Sequence, residues 1–480
     1  MGPLPVGFGL ALDGSLRRFG GGTILAGGHP GRVTTLTPAG SAALDALVAG
    51  GVATDPGDRA LAGRLVESGM AHPRRSPGVG SGGPGPGVTV VVPVRDRPDG
   101  LDRCLASLGY RHPVVVVDDA SLDPGAVAAV CAAHGAVVVR RSRNGGPGTA
   151  RNDALDRIDG ELVAFVDSDC TVSPGWLDGL LWLFDDPGIA AVAPRVVPAT
   201  RGGADVDRVV DRFSRSHSPL DLGPLEGEVG PRRAVRYVPT AALVVRREAF
   251  AAVHGFDPGL RVGEDVDLVW RLLDAGWRVR YQPTVTVHHA EPRRWRDLLA
   301  RRFRYGTSAA PLAERHPDRL APVELRPWPT VAVIAALAGR PRTAAMAVAA
   351  SAVVLARSVR PLGIPSRQAW TWSAQGAGWT LVGLGRAATM LAGPGLAVLA
   401  TRGRRGRRAA LALVLVPPVV EWVKRRPDLD LARWVAASVA DDVAYGAGVW
   451  ISCLRSGALG PVLPSTGRRP ANRDRPAPQI

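Results

Sequence analysis

Between residues 88 and 169, runs of aliphatic residues alternate with helical segments, and this alternation limits the possible folds more than any other feature of the chain. The runs contain almost no polar residue before their last positions, as strands buried on both faces of a parallel sheet require. They read VTVVVPV, VVVVDDAS, AVVVR and LVAFVDSD. The pattern predicts an α/β, doubly wound, nucleotide-binding domain whose ligands bind beyond the carboxyl ends of the strands.

Composition predicts further domains on either side. The chain has 480 residues, enough for two or three domains. A Gly/Pro/Ser stretch at 76–87 has no side chains with which to build a core, which predicts a linker. The other predicted parts are a small opening module at 1–75, a catalytic domain at 88–325, an apolar helical region at 326–460 and a disordered tail at 461–480.

The opening module is predicted to combine two strands with two helices, an arrangement more typical of binding adaptors than of catalytic domains. Thr37 or Ser41 is expected to cap the first helix, with Pro38 near its start. The predicted strands are 23–25 and 32–36, and the predicted helices are 41–48 and 58–69.

The chain carries a formal net charge of +16, almost entirely from arginine. Arginines become more frequent after Arg278 and again at 402–408, where they flank apolar stretches. This distribution favours an anionic membrane surface over nucleic acid as the partner. The four cysteines form no CxxC pair, so neither a zinc site nor a disulfide framework is indicated. No signal peptide is recognisable, and we expect a cytoplasmic location, at the cytoplasmic face of the membrane if the chain is membrane-associated.

Four apolar stretches follow residue 328, and each is either short or interrupted by an arginine or proline. We expect none to be a clean spanning helix, and we expect membrane association through spanning, re-entrant or interfacial helices. A buried bundle of alanine-rich helices is the alternative. The stretches are 330–339, 343–356, 376–400 and 409–423, and the interruptions are Arg386, Gly393-Pro394 and Pro417-Pro418.

Charged side chains gather where the predicted strands end. Asp118 and Asp119 are candidates for contact with the donor base and ribose, because a carboxylate accepts hydrogen bonds from an imide or a hydroxyl. A solvated turn is the alternative. Pro93, Arg95 and Asp96, at the end of the first strand, are further candidate donor-binding residues.

A glycine-rich loop at 143–152 leads into a helix. Backbone amides of such a loop can approach a diphosphate while arginines offset its charge. Gly148, Arg151 and Asn152 are therefore candidate donor-binding residues. The loop lacks both GxGxxG and the P-loop lysine, so nicotinamide and ATP sites are disfavoured, and a plain helix-entry turn is the alternative.

The segment LVAFVDSDC carries two acids near its end, Asp167 and Asp169. They are two residues apart, so in an extended backbone both side chains point to the same side. Both can face one Mg²⁺ or Mn²⁺ ion, whose other positions accept phosphate oxygens of a departing nucleotide diphosphate. Ser168 lies between them and is counted with the donor site.

Two later motifs are candidates for the remaining chemistry. Glu264 and Asp265 open an amphipathic helix after Gly263, and Asp265 is the favoured general base, with Glu264 as the second choice. Favourable interaction with the helix dipole is the alternative role of these acids. His288 and His289 end a predicted strand and should face opposite ways, so one of them is a candidate metal ligand, with His288 favoured.

Taken together, these motifs resemble the ordered series of the family 2 inverting glycosyltransferases with the GT-A fold. The segments that carry the resemblance are VVVPVRDRPDGLDRCLASL, VVVVDDAS, GGPGTARNDAL, VDSDC, APRV and GEDVDLVWRL. The resemblance implies a nucleotide-sugar donor, often UDP-linked, a divalent metal at Asp167 and Asp169, and base catalysis from Glu264 and Asp265. It also implies inversion at the anomeric carbon in a single displacement.

The order of the parts resembles, more narrowly, the glycosyltransferases of mycofactocin systems in actinobacteria. In these, a module similar to peptide-binding PqqD-like domains precedes the catalytic domain, and LTPAGSAALDALVAGG is the segment that carries this likeness. The resemblance implies transfer of β-linked glucose from UDP-glucose to a peptide-derived redox cofactor. Two alternatives stay open: a membrane glycosyltransferase of cell-wall glycan or glycolipid synthesis, and a non-catalytic scaffold that binds peptide or nucleotide sugar.

Overall fold

The computed structural model describes residues 2–75, 87–199, 209–317 and 319–466. The chain divides into two compact units, Met1–Trp295 and Arg296–Ile480. The division therefore lies before residue 325, the predicted end of the catalytic domain, because the helices that follow Trp295 pack with later helices.

Two predicted segments lie mostly outside the described residues. The predicted linker lies outside the described residues apart from Gly87, and so does the predicted tail from residue 467 onward. The first residues of that tail are ordered, since Gly460–Val462 form a 3-10 helix and the Leu325 amide donates to the Ser465 carbonyl at 2.8 Å.

Within residues 2–75 the opening module has five strands, and the sequence predicted only two. The first and last strands pair with each other, and the other three form a second antiparallel sheet. Short mixed segments such as AHPRR lack the alternation that identifies a strand, so these were missed. Thr37 caps the first helix, accepting from the Gly40 amide at 3.0 Å. The elements are β1 Phe8–Leu12, β2 Arg17–Phe19, β3 Ile24–Gly27, β4 Arg32–Thr35, α1 Pro38–Val48, α2 Pro56–Glu67 and β5 Ala71–Arg75.

The first half of the catalytic domain follows the predicted alternation of strands and helices. Its four strands run parallel to one another in the order β9-β6-β7-β8. Valines of the two central strands are almost fully buried, as the apolar runs predicted. The elements are β6 Val88–Val94, α3 Pro98–Leu108, β7 Val114–Asp118, α4 Pro124–Ala133, β8 Val137–Arg140, α5 Pro147–Asp153 and β9 Leu162–Val166.

The second half extends the same sheet with antiparallel pairs, so the sheet is mixed. The elements are β10 Cys170–Val172, α6 Asp178–Leu181, β11 Ile189–Pro198, α7 Val209–His217, β12 Gly227–Glu228, β13 Ala242–Arg246, α8 Arg247–Ala252, α9 Glu264–Asp274 and β14 Arg278–His289. The strand order is β10-β14-β11-β13-β9-β6-β7-β8, with β12 paired to β14.

Strand direction brings distant segments to one edge of this sheet. β13 runs antiparallel to both β9 and β11, and β14 runs parallel to β11. β9 and β14 therefore end at the same edge as β6 and β7, and we call it the site edge. In an open α/β sheet this is where ligands bind.

The second unit is helical in its described part. Two of the predicted interruptions do not break a helix. Arg386 lies within a 26-residue helix because Asp442 and Glu421 compensate its charge, at 3.2 and 3.6 Å. The elements are α10 Trp295–Gly306, α11 Ala309–Arg315, α12 Pro327–Leu337, α13 Pro341–Val359, α14 Ser366–Leu391, α15 Gly393–Thr401, α16 Gly403–Arg425 and α17 Leu431–Ser456.

Pro417 and Pro418 stand inside α16 without ending it, contrary to the prediction. A proline removes the hydrogen bond to the carbonyl four residues earlier, which for Pro417 is that of Leu413. That carbonyl lies against Gly385 of α14, where any side chain would clash with it. Trp434 donates its indole N–H to the Pro418 carbonyl at 2.9 Å. Both prolines therefore lie at contacts with other helices, Gly385 on α14 and Trp434 on α17.

Among the described residues, one helix, Pro341–Leu362, is long and apolar enough to cross a membrane, and 17% of its most apolar window is buried. This differs from the prediction, because the helix extends beyond both ends of the apolar stretch at 343–356. The pair Ser366–Leu391 and Gly393–Thr401 passes the same criterion together but is bent by 104°. The predicted break at Gly393-Pro394 is therefore confirmed.

Candidate active site

Asp167 and Asp169 follow β9 directly at the site edge. Their side chains are 30% and 19% exposed, so solvent reaches both. The Cys170 amide donates to the Asp167 carbonyl at 2.9 Å, which closes a tight turn after the strand. Ser168, at the middle of this turn, is buried. The sequence placed both acids correctly because a long buried strand fixes the position where it ends.

Arg151 joins the two acidic motifs that the sequence singled out. It lies on α5, is 2% exposed and donates to Asp167 Oδ1 at 2.5 Å and to Glu264 Oε1 at 3.2 Å. Its guanidinium also stacks over the Phe256 ring at 5.3 Å. A buried arginine is stabilised by such paired carboxylates. The predicted donor-binding residue is thus an internal link between Asp167 and Glu264.

Gly148 permits this approach of α5 to α9. A Cβ atom at Gly148 would lie 3.1 Å from Phe256 Cβ and 3.2 Å from Glu264 Cγ, closer than side chains normally pack. Asn152, one turn further, donates to the Phe256 carbonyl at 2.7 Å and accepts from the Phe256 amide at 2.9 Å. Both residues were predicted to bind the donor, and the structure gives both a role in packing.

The histidine beside Asp169 is His289 rather than the favoured candidate His288. The β10–β14 register pairs Cys170 with His289 and Thr171 with His288. His289 Nε2 lies 3.5 Å from Asp169 Oδ1, whereas His288 faces the other side of the strand. The period-two rule showed that the histidines differ but not which one faces the acids.

Glu291 supports His289 from behind. Its Oε1 lies 3.3 Å from His289 Nδ1 and accepts from the Ser218 hydroxyl at 2.7 Å. All three side chains are buried. A carboxylate on the far nitrogen orients a histidine ring and raises its basicity, as in many metal sites. Glu291 was not predicted, since a lone acid two residues after a strand carries no motif.

Of the predicted metal ligands, Asp169 lies beside a histidine, and metal binding itself stays a prediction. Asp169 and His289 fit a divalent cation that completes its shell with phosphate and water oxygens, because their facing atoms are 3.5 Å apart and Glu291 supports the ring. Asp167 is bonded to Arg151, and Asp169 is also bonded to Arg97. No group of three or more His, Cys, Asp or Glu side chains among the described residues forms a ready metal site.

Glu264 and Asp265 begin α9, after Gly263 in the left-handed conformation with φ of 82°. Burial and repulsion from Asp265 raise the pKa of Glu264 to about 7. The positive charge of Arg151 acts in the opposite direction and is the smaller effect. Burial also raises the pKa of Asp265, which is half-buried and accepts from the Val266 amide at 2.8 Å. A carboxyl group with a raised pKa is a better proton acceptor near neutral pH.

Asp118 and Asp119 hold the surrounding loops. Asp118 is 1% exposed, accepts from the Ser121 amide at 2.9 Å and pairs with Arg140. Asp119 accepts from the amides of Gly145 and Gly146 at 2.9 and 2.8 Å. These amides were predicted to face a diphosphate. In the structure they donate to Asp119 and so hold the glycine-rich loop in place. Contact of either aspartate with a nucleoside stays a prediction.

The remaining predicted donor residues lie at the end of β6. Pro93 is buried inside the strand, in register with Val117. Arg95 is exposed and lies 3.4 Å from Asp96. Asp96 has a positive φ of 54° and accepts from the Leu122 amide at 2.7 Å. Arg95 and Asp96 are therefore the members of this group whose side chains are exposed, at 46% and 37%.

Comparison with known proteins identifies the family. The profile described as Glycosyl transferase family 2 matches residues 89–248. The chain is 38% identical to the Pre-mycofactocin glycosyltransferase of Mycobacterium tuberculosis over 487 aligned positions, covering 96% of this chain and 98% of that protein. The chain belongs to glycosyltransferase family 2. It is therefore an enzyme, a glycosyltransferase, and a catalytic rather than a scaffolding role is established.

Other relatives match the transferase only in part. The Succinoglycan biosynthesis protein ExoU of Rhizobium meliloti is 33% identical over 208 residues, covering 40% of this chain and 58% of that protein. A mannosyltransferase from Pyrobaculum calidifontis, solved in complex with GDP-Man and Mn²⁺, is 23% identical, with a TM-score of 0.37, covering 61% of this chain and 85% of that one.

Proposed function

We propose that this glycosyltransferase moves a glucosyl residue from UDP-glucose to a peptide-derived acceptor of the pre-mycofactocin type, with inversion at the anomeric carbon. The proposal rests on one observation: Asp167 and Glu264 both form ion pairs with the buried guanidinium of Arg151. It joins the donor-side motif and the base motif in one site. The acceptor class comes from the name of the relative that is similar over nearly the whole chain.

Asp265 is the proposed general base. Among the described residues it has no arginine partner within ion-pair distance, whereas Glu264 is bonded to Arg151. Its raised pKa suits removal of the proton from the acceptor hydroxyl as the oxygen attacks the anomeric carbon. The C–O bond to the diphosphate breaks in the same displacement. Glu264 remains the alternative base.

A divalent cation, Mg²⁺ or Mn²⁺, is the proposed cofactor, with Asp169 and His289 as the residues that would hold it. When bound, it would stabilise the negative charge on the leaving diphosphate. Arg97 adds a positive charge beside Asp169. Glu291 keeps His289 oriented and its ring nitrogen available to a ligand.

The opening module is proposed to bind the peptide-derived part of the acceptor, as the predicted PqqD-like module would. Its position supports this, because the module is fixed to the catalytic domain at three points. Phe8 contacts Trp182 at a ring distance of 5.7 Å, Arg74 forms a bidentate pair with Glu226, and Arg233 donates to the His29 carbonyl at 2.8 Å. A fixed module presents a bound acceptor in one orientation.

The enzyme is proposed to work at the cytoplasmic face of the membrane. Helix Pro341–Leu362 is mostly unburied and apolar, which supports this location. The same exposure favours a second candidate function, transfer to a glycolipid acceptor. The two differ in the acceptor and share the reaction.

The test is product formation with purified enzyme, Mn²⁺ and a panel of UDP- and GDP-sugars, each with the peptide-derived acceptor or a polyprenyl-phosphate acceptor. We expect UDP release and glycosylated product only with UDP-glucose and the peptide-derived acceptor. NMR of the anomeric proton should show a β linkage. Product on the lipid acceptor alone would establish the glycolipid function instead.

A further inference from the structure

Residues 325–420 contain twelve arginines and neither aspartate nor glutamate. This stretch forms α12 to α16 of the second unit. In water, exposed arginines are normally interspersed with acids. A long stretch that excludes acids and exposes apolar side chains is instead typical of a surface that meets anionic lipid.

The fold brings two separate parts of this stretch together. Arg340 lies in the turn between α12 and α13, with Arg342 just inside α13, and the turn between α15 and α16 begins a second group at Arg402. Arg405 reaches the first turn, because its Cδ and Nε lie 3.6 and 3.7 Å from the Cβ position of Gly339. We call the combined set the arginine cluster, and its members, all exposed, are Arg340, Arg342, Arg402, Arg404, Arg405, Arg407 and Arg408.

No member of the arginine cluster has a carboxylate partner among the described residues. The two closest acids in the sequence on either side of the stretch are Glu324 and Glu421, and both pair with other arginines, Arg326 and Arg386. The charge of the cluster is therefore uncompensated within the protein. An anion from outside is the partner that its electrostatics require.

Each helix that leaves the cluster exposes a large apolar side chain within two turns of it. Ile334, Met346, Val398 and Leu411 lie on α12, α13, α15 and α16 and are 57%, 67%, 55% and 51% exposed. One helical turn is about 5.4 Å, so these side chains lie just beyond the arginines along each helix. This spacing matches a bilayer surface, where guanidinium groups meet phosphates and apolar groups enter the boundary some 5–10 Å deep. Nucleic acid offers the phosphates without the apolar layer.

We infer that the arginine cluster, with its four apolar neighbours, docks the enzyme on the headgroups of an anionic lipid bilayer. The inference deepens the membrane location stated under the proposed function, and it does not depend on the transfer reaction. Binding to vesicles is therefore a separate measurement, which leaves the chemistry to its own test.

The experiment is co-sedimentation of the full chain with phosphatidylcholine vesicles that contain no or 30% phosphatidylglycerol. The variant Arg404→Gln/Arg405→Gln/Arg408→Gln removes three charges from the cluster. The matched control Arg32→Gln/Arg103→Gln/Arg157→Gln removes three exposed arginines of the first unit that form no ion pair with a described residue. At about 1 kcal/mol per arginine near the surface, the cluster variant should bind anionic vesicles about 100-fold more weakly, and the control less than about 3-fold.

A variant with lysines at the same three cluster positions retains the charge and should keep binding within about 3-fold, which separates charge from folding. Equal binding to both vesicle types, no binding of the native chain, or an equal loss in the control would overturn the inference. Tighter binding to a DNA duplex than to anionic vesicles at the same salt concentration would also overturn it, because the cluster would then be a nucleic-acid site.

Discussion

Replacing Arg151 by methionine should destabilise the first unit, and more above pH 7, where Glu264 is ionised, than below it. Removing one partner of a buried ion pair costs about 3–5 kcal/mol, because a charge stays buried without compensation. Glu264 is buried, whereas the Asp167 side chain is 30% exposed and is screened by water. We therefore expect the lower value, about 3 kcal/mol, which corresponds to a fall of about 6–12 °C in melting temperature for a unit of this size.

Calorimetry or circular dichroism measures this loss, with two comparisons. Arg111→Met removes an exposed pair with Asp178 and should change the melting temperature by no more than a few degrees, since exposed pairs contribute about 0–1 kcal/mol. The double variant Arg151→Met/Glu264→Gln should recover part of the loss, because the unpaired charge is gone. If Arg151→Met melts within about 2 °C of the native protein, Arg151 does not link the two motifs as the structure indicates.

Three further predictions concern the same site. Asp169→Ala and His289→Ala should each abolish high-affinity Mn²⁺ binding in titration calorimetry, and Glu291→Gln should weaken it about 10–100-fold; unchanged affinity in all three would remove the assignment. The pKa of Glu264 is raised to about 7, so the fold is more stable at low pH, where this carboxyl is neutral. The contribution, about 3 kcal/mol, is lost as pH rises from about 4.5 through 7. Glu264→Gln should therefore flatten the dependence of melting temperature on pH between about 5 and 8, and an unchanged dependence would contradict the assignment. Gly148→Ala should lower stability by about 1–3 kcal/mol in urea unfolding, because its Cβ meets Phe256 and Glu264.

Much of the catalytic fold was predictable because its buried strands are long and apolar. The run LVAFV fixed where β9 ends and thus where Asp167 and Asp169 stand. Thr37 and Pro38 likewise marked the start of α1. Such signals are local, since each depends on a few neighbouring residues.

The errors concern contacts between segments that are far apart in the chain. Which histidine meets Asp169 depends on the β10–β14 register, and the role of Arg151 depends on α9, more than 100 residues later. Pro417 lies inside α16, and the carbonyl of Leu413 packs against Gly385 of another helix, which the sequence alone does not show. The sequence singled out Arg151, Asp167 and Glu264 separately, and tertiary structure decided that they pair with each other.

The most direct test of the proposed reaction compares the native enzyme with Asp265→Asn, measuring the affinity for UDP-glucose and the rate of transfer to the acceptor in parallel. Loss of a general base costs about 10²–10⁴-fold in rate. We predict that Asp265→Asn binds the donor within about 3-fold of the native value and transfers at least 100-fold more slowly. Transfer at a near-native rate by Asp265→Asn, together with loss of transfer in Glu264→Gln, would contradict the assignment and make Glu264 the base.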